Sequence, residues 1–119
     1  MTDFLSMKGR LNRARYFLHE LAISCVMFII TAQIGLATDG YRTGNLKAAA
    51  LFMLIAGIGG SIIYTFQTVK RLHDLDRPGA HYWLLLIPIY NIYLTLVLHF
   101  KKGTAGPNHY GPDPLTTRA

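Results

Sequence analysis

The sequence predicts an all-α membrane protein: a three-span transmembrane helical bundle, entered through a basic amphipathic N-terminal segment and followed by a Gly/Pro-rich C-terminal tail. The first observation behind this is the placement of charge. All 18 Asp, Glu, Lys and Arg residues fall outside three stretches, Leu21–Thr38, Ala48–Val69 and Pro78–Phe100. Those stretches hold 18, 22 and 23 residues, so 63 of 119 positions lie in uninterrupted charge-free runs. A soluble domain of this size interleaves charge along each element, because each element shows one face to water. A membrane crossing instead takes about 20 predominantly apolar residues. The second observation is the position of the basic residues. The 12 Lys+Arg and 6 Asp+Glu give a net charge of +6, and the cations sit in short tracts beside the apolar runs, where they orient helices and meet anionic lipid headgroups. No zinc-finger spacing and no aromatic-basic alternation accompanies them, so nucleic acid is not an expected partner. The chain 1–119 reads as a single integral-membrane domain.

The elements follow in order. Within Met1–Glu20, Phe4, Met7 and Leu11 are spaced i, i+3, i+7 with Arg10 and Arg13 on the other side, which predicts a short helix lying in the headgroup layer. The first span covers about 17–38. It is longer than the apolar stretch of a cleaved signal peptide and is soon followed by a second span, so it is expected to be retained. Its one cysteine, Cys25, has no partner for a disulfide and no route to a thiolate in hydrocarbon, and reads as a packing residue. Asp39–Asn45 is rich in turn formers and predicts a short connection. The second span covers about 48–69, then a loop over 70–79 closes on Arg77-Pro78-Gly79. The third covers about 80–100, with Tyr82 and Trp83 where an interfacial aromatic belt belongs. The tail 101–119 includes three Gly and three Pro within Gly103–Pro114, a composition that excludes helix.

Lys and Arg counts set the orientation. Lys8, Arg10, Arg13, Arg15, Lys70, Arg71 and Arg77 fall on one side of a three-crossing chain, against Arg42, Lys47, Lys101, Lys102 and Arg118 on the other. The 7-to-5 split predicts a cytoplasmic N-terminus and, with three crossings, an external tail. Pro88 offers an alternative: it can break the third span into a re-entrant hairpin that returns the tail to the inside.

Three groups of residues are candidates for function. Ala56, Gly57, Gly60 and Ser61 make a small-residue face on the second span, fit either for self-association or for packing within the chain; a bundle needs such a face in any case. Asn91, Thr95 and His99, with His81 and Pro88, fall in one arc of an ideal helix and form a polar stripe. That stripe can line a narrow path or simply bond neighbouring helices, and the absence of any ionised residue in the spans favours bonding. Asn91 is expected to meet Ser61, Thr65 or Gln33. The loop holds Arg71, His73, Asp74 and Arg77, which Arg10 and Arg13 approach from the same face. This cluster suits a salt-bridged cap in which Arg71 and Arg77 pair with Asp74 and Asp76. It also suits an anion or lipid-headgroup site, since guanidinium pairs bidentately with phosphate. An adjacent His73-Asp74 can do acid–base work or ligate a metal, but no other histidine stands at a matching spacing, and no metal or cofactor is expected.

These same residues carry a family resemblance. Gly9-Arg10-Leu11-Asn12-Arg13-Ala14-Arg15-Tyr16-Phe17 is similar to a G-R-x-x-R-x-x-[FY]-[FW] signature, and Arg71-Leu72-His73-Asp74 followed by Asp76-Arg77 resembles R-L-H-D-x-x-[RK]. Gly103-Thr104-Ala105-Gly106-Pro107-Asn108-His109-Tyr110-Gly111-Pro112-Asp113-Pro114 resembles G-T-x-G-x-N-x-[FY]-G-x-D-P. Three motifs in this order around the spans resemble the bacterial "domain of unknown function 805" family of small inner-membrane proteins, from Phe4 to Pro114. Ala80-His81 replaces an aromatic pair common there, and Leu18 replaces a second aromatic after Phe17. The resemblance implies a multi-pass bacterial inner-membrane location, a compact helical bundle and no established activity. The positions it marks are Arg10, Arg13, Arg71, His73, Asp74, Asn108, Tyr110 and Asp113, and with them the tail glycines Gly103 and Gly106. They imply a tail that docks on the loop, which a third crossing would forbid.

The expected function is therefore a non-catalytic envelope component that associates with itself or with a membrane-protein partner. The alternatives are a small transport component using the stripe of Asn91, Thr95 and His99, a protein binding anionic phospholipid headgroups, and, least favoured, an enzyme using His73 and Asp74 at the headgroup layer.

Overall fold

The computed structural model describes residues 4–37 and 46–116. Among them the regular structure is helical throughout: α1 over Arg13–Ala37, α2 over Leu46–Asp74, a 3-10 helix over Gly79–Leu86 and α3 over Tyr90–Phe100. The connection expected over Asp39–Asn45 lies outside the described residues. Helices α1 and α2 have 25 and 29 residues, about 37 and 43 Å at the helical rise, and are long and apolar enough to cross a membrane. Both run past the apolar stretches that announce them. Backbone hydrogen bonding does not stop where hydropathy changes, so Arg13, Arg15 and Glu20 are helical, as are Lys70–Asp74.

The third expected span is not a single helix. Pro88 has no N–H to give a ladder, and the backbone turns sharply beside it. Ile89 has φ 70° and ψ −53°, and the Tyr90 N–H reaches the Pro88 carbonyl at 2.8 Å, a γ-turn of the strained, positive-φ kind. An eight-residue 3-10 helix therefore precedes the break and an 11-residue α-helix follows it. The α-helix is about 16 Å long, half of what a bilayer core requires. The segment starts and finishes at one place. A Cβ on Gly79 would meet Val69 at 3.0 Å, and at the far end the Leu98 carbonyl accepts from Arg71 at 2.6 Å. The chain thus leaves the C-terminal end of α2 and comes back to it, the hairpin that Pro88 allows, and the tail ends up beside the loop rather than across from it.

The N-terminal segment also departs from expectation. Residues 4–12 form no helix. Gly9 takes φ +89°, a value that L side chains resist, and the strap is tied to α2 instead of floating. Gln67 Nε2 donates to the Phe4 carbonyl at 2.6 Å, and the Leu11 N–H donates to the Lys70 carbonyl at 3.1 Å.

The distribution of side chains is inverted relative to a protein that folds in water. Large apolar groups face outward along both long helices, Phe28 at 74% exposure and Leu36 at 69% among them, while Gln67, Thr68 and Arg71 are wholly buried. The apolar core is small: Leu11, Tyr16, Leu72, Leu94 and Leu98, flanked by Leu75, Tyr82, Leu84, Leu85 and Tyr90. It gathers α1, the end of α2, the 3-10 helix and α3 at one end of the molecule. Toward the other end α1 and α2 run on as a pair. Their contact is close at Gly60, where an added Cβ would come within 2.8 Å of Met27 Sδ.

Candidate functional site

Asp74 closes the last turn of α2 and becomes the hub of the structure. One carboxylate oxygen takes Arg71 Nη1 at 2.6 Å, from one helical turn earlier. The other takes Arg10 Nε and Nη2, each at 3.1 Å. All three side chains are almost fully enclosed, at 0–3% exposure. A buried ion pair of this sort stands only where further hydrogen bonds satisfy its remaining donors, and backbone carbonyls do so here. Arg71 Nε donates to Leu98 O at 2.6 Å and its Nη2 donates to Lys101 O. Arg10 Nη1 donates to Gly106 O at 2.6 Å, and its Nη2 donates to Thr104 O. Two guanidinium groups thus gather the end of α3 and the first half of the tail onto the end of α2. The main chain completes the joint, because the Thr104 N–H donates to the Asp74 carbonyl at 2.8 Å.

The rest of the tail motif builds its own turn around Asp113. The Gly106 N–H donates to Oδ2 and the Leu115 N–H donates to Oδ1, both at 2.9 Å. These two bonds, with the charges of Arg10 and Lys102 in support, hold the Asp113 carboxyl below the usual carboxylate range. Asn108 Nδ2 reaches the His73 carbonyl at 2.9 Å, and Tyr110 lies flat on the His73 ring, centroids 3.9 Å apart and planes 3° from parallel. At the rim His109 Nδ1 is 2.9 Å from Asp76 Oδ1, which lowers the Asp76 pKa in turn.

Of the residues singled out from sequence, Arg10, Arg71, His73, Asp74, Gly103, Gly106, Asn108, Tyr110 and Asp113 all enter this clasp. Arg13 stands at its edge, with Nη1 on the Phe100 carbonyl at 3.0 Å. Arg77 is joined through its backbone N–H, to Leu72 O at 2.9 Å, and Asp76 takes His109 as the partner expected to be Arg77. His73 and Asp74 do not work on a common point: the carboxylate is enclosed by arginines, while His73 Nδ1 is 3.2 Å from the Gly9 carbonyl.

The small-residue face divides. Ala56 and Gly60 look toward α1 across an apolar groove, whereas Gly57 has open space around it. Ser61 bonds its own helix at Ile58 O, 2.8 Å away, and Thr65 bonds Tyr82 Oη at 3.1 Å, so neither hydroxyl is held for Asn91. The polar stripe is cut by the break at Pro88, leaving Asn91, Thr95 and His99 on α3. Both ring nitrogens of His99 have partners. Its Nδ1 lies 2.8 Å from Thr95 O and its Nε2 lies 2.5 Å from Glu20 Oε2.

That Glu20–His99 pair escapes a reading based on charge-free runs, because Glu20 falls one residue before the run that starts at Leu21. Its helical spacing from Arg13 and Tyr16 was the available signal: four residues after Tyr16, Glu20 shares the face on which Tyr16 is buried against the His99 ring, with centroids 5.3 Å apart. Gln67 and Thr68 of α2, both fully buried, bond His19 and Tyr16 of α1 at 2.9 and 3.4 Å.

Comparisons with known proteins find relatives named as inner membrane proteins. Inner membrane protein YhaI of Escherichia coli (strain K12) is 29% identical over 115 residues, covering 96% of this chain and 90% of that protein. Inner membrane protein YhaH of the same organism is 28% identical over 114 residues, covering 96% and 91%. No solved structure matches. The family model described as "Protein of unknown function (DUF805)" matches residues 4–112, a range that holds both arginines of the clasp, Asp74 and the tail up to the turn at Asp113, and the chain belongs to that family.

Proposed function

We propose that this chain is a non-catalytic, multi-pass protein of the bacterial inner membrane that acts by associating with a second copy of itself or with another membrane protein. The observation that carries the reading is the inverted surface: apolar side chains cover α1 and α2, while Gln67, Thr68, Arg71 and Asp74 are enclosed beside a small apolar core. Soluble monomers rarely expose a continuous apolar patch above a few hundred Å², so hydrocarbon is the solvent that suits these helices. The naming of YhaI and YhaH as inner membrane proteins supports the same location.

In this arrangement α1 and α2 cross, and the 3-10 helix and α3 form a re-entrant hairpin that enters and leaves on the clasp side. The tip of the hairpin is exposed at Leu86, Ile87 and Ile89, and the Ile87, Tyr90 and Asn91 N–H groups donate to carbonyls of the same segment, which limits the cost of irregular backbone there. With the tail on the clasp side, Lys8, Arg10, Arg13, Arg15, Lys70, Arg71, Arg77, Lys101 and Lys102 share one face and Lys47 lies on the other. A bias of this size supports a cytoplasmic side for the clasp, the N-terminal strap and the tail.

Association is favoured over catalysis and transport because the charged groups of the clasp and His99 are already engaged. Arg10, Arg71 and Asp74 satisfy one another, and His99 is bonded to Glu20. What stays open is the Gly57 side of α2. Native mass spectrometry from mild detergent tests the proposal, with an oligomer or a stoichiometric membrane partner as the expected result and weakened by Gly57→Leu. A strict monomer with no co-purifying protein overturns it. A C-terminal fusion tests the orientation: fluorescence without phosphatase activity is expected, and phosphatase activity alone overturns it.

A further inference from the structure

Two concavities meet at Phe4. The first is a cleft of about 410 Å³ between the N-terminal strap, the start of α1 and the end of α2. Its polar lining is basic: Lys8, Arg10, Arg15, His19 and Lys70, with no acidic side chain among the described residues. The second is a groove of about 420 Å³ between α1 and α2, walled by apolar residues that include Ile23, Met27, Ile30, Gly60 and Ile63. Phe4 lines both. It is fixed there by Gln67 on its carbonyl, by the His19 ring at 5.1 Å and by the Lys70 ammonium at 6.0 Å from its ring centre.

We propose that the pair is a binding site for one anionic phospholipid, with the phosphate of the headgroup in the Lys8–Arg15 cleft and an acyl chain along the α1–α2 groove. The site rests on the membrane location proposed above. It is separate from the clasp, where Arg10 already gives its donors to Asp74 and to tail carbonyls, so Arg10 acts here as wall and as positive field. Lys8 and Arg15 are exposed on the cleft and supply the direct contacts, Arg15 through the two-point geometry that guanidinium offers phosphate.

Three features select a lipid over a free anion. The cleft lies where α1 and α2 emerge from their apolar runs, the level of lipid phosphates. The groove continues from it in the direction an acyl chain takes, over about 12 Å of α1 from Ala22 to Ile30. Gly60 leaves room for the Met27 side chain to lie against α2 along the groove wall, because a Cβ there would come within 2.8 Å of Met27 Sδ. A soluble phosphate would use the cleft and leave the groove unexplained.

The test reconstitutes the full chain into nanodiscs of phosphatidylcholine doped with phosphatidylglycerol, then releases it gently and counts retained lipid by native mass spectrometry. One phosphatidylglycerol per chain is expected, enriched at least tenfold over its share of the bilayer. Lys8→Gln combined with Arg15→Gln should abolish the enrichment, and Lys8→Arg with Arg15→Lys should restore most of it. Met27→Trp, which fills the groove without touching the cations, should lower retention as well. Far-ultraviolet circular dichroism and the melting temperature show whether each variant is folded, and the conservative pair keeps the comparison meaningful if the neutral pair is not. Equal retention of both lipids by the wild type, or retention unchanged by the neutral pair, overturns the site. Complete displacement by millimolar inorganic phosphate overturns the lipid assignment in favour of a free anion. If the chain fails to incorporate into the nanodiscs at all, the membrane location has failed, and with it the site; incorporation without selectivity fails the site alone.

Discussion

Gly103 passes so close to Asp74 that a Cβ at position 103 would lie 2.0 Å from the carboxylate oxygen Oδ2. The contact is with a side chain that cannot move aside, because both of its oxygens are held by arginines on the far side. The glycine is thus required by proximity rather than by a special backbone angle. Gly103→Ala should loosen the tail from α2 and cost about 1–3 kcal/mol, the usual range for overpacking a filled site. Limited proteolysis at the tail and the melting temperature in detergent read the effect. Gly59→Ala, where nothing lies within 4 Å, is the matched control. It should leave the melting temperature unchanged or raise it, since alanine is the better helix former by about 1 kcal/mol.

The clasp was legible in the sequence to the level of membership. Arg10, Arg71 and Asp74 could be grouped by their place around the apolar runs, the tail motif joined them only through the family resemblance, and Pro88 named the place where the third run would break. Their roles were not legible. Nothing in the spacing of Arg10 or Arg71 says that their donors will be taken by the carbonyls of residues 98–106, because backbone carbonyls are present at every position and carry no sequence signal. The strap shows the opposite failure: Phe4, Met7 and Leu11 have helical periodicity, yet Gly9 at positive φ and the long-range bonds to Gln67 and Lys70 outweigh it. Local periodicity is a weak prior when tertiary hydrogen bonds compete.

Removal of the hub should be far more damaging than removal of any one arm. Asp74→Ala leaves two guanidinium groups enclosed and facing each other, and breaking a buried pair from one side typically costs about 3–5 kcal/mol. Arg10→Met should cost less, since Arg71 still balances the carboxylate. Combined, the two changes should destabilise by less than the sum of the singles, because a stranded charge is removed along with its neighbour. A double-mutant cycle on melting in detergent checks this, and strict additivity would mean that the charges do not act on each other.

Acid should undock the tail turn. Asp113 has its pKa lowered by the N–H groups of Leu115 and Gly106 and, more weakly, by Arg10 and Lys102. A group depressed on folding adds stability above its unfolded pKa of about 4 and loses it as pH falls through the lower, folded value. Asp76, lowered by His109, acts in the same direction. Hydrogen exchange at the Gly106 and Leu115 amides should thus show strong protection that is flat from neutrality to about pH 5 and collapses below about pH 4. Asp113→Asn keeps one acceptor and carries no charge. Its protection at neutral pH should be weaker, and the acid step should shrink to the part contributed by Asp76.

Strain at the break in the third apolar run can be relieved without removing the break. Ile89 holds φ 70° with a β-branched side chain, a region that costs non-glycine residues about 1–3 kcal/mol. At 82% exposure the side chain has little packing to lose, although in a bilayer it would face lipid. Ile89→Gly keeps the Pro88 corner, frees the φ constraint and should raise the melting temperature in detergent, with the hairpin and clasp unchanged. Ile89→Val retains the branched Cβ and should give no such gain. If instead Ile89→Gly destabilises as much as an apolar truncation would, the residue is packed and the γ-turn is not the element that ends the 3-10 helix. Pro88→Leu probes the same corner from the other side. It restores a backbone N–H but leaves the positive φ at Ile89 in place, so the C-terminal fusion should keep its cytoplasmic orientation, and conversion of that fusion to the external face would mean that proline alone prevents the third crossing.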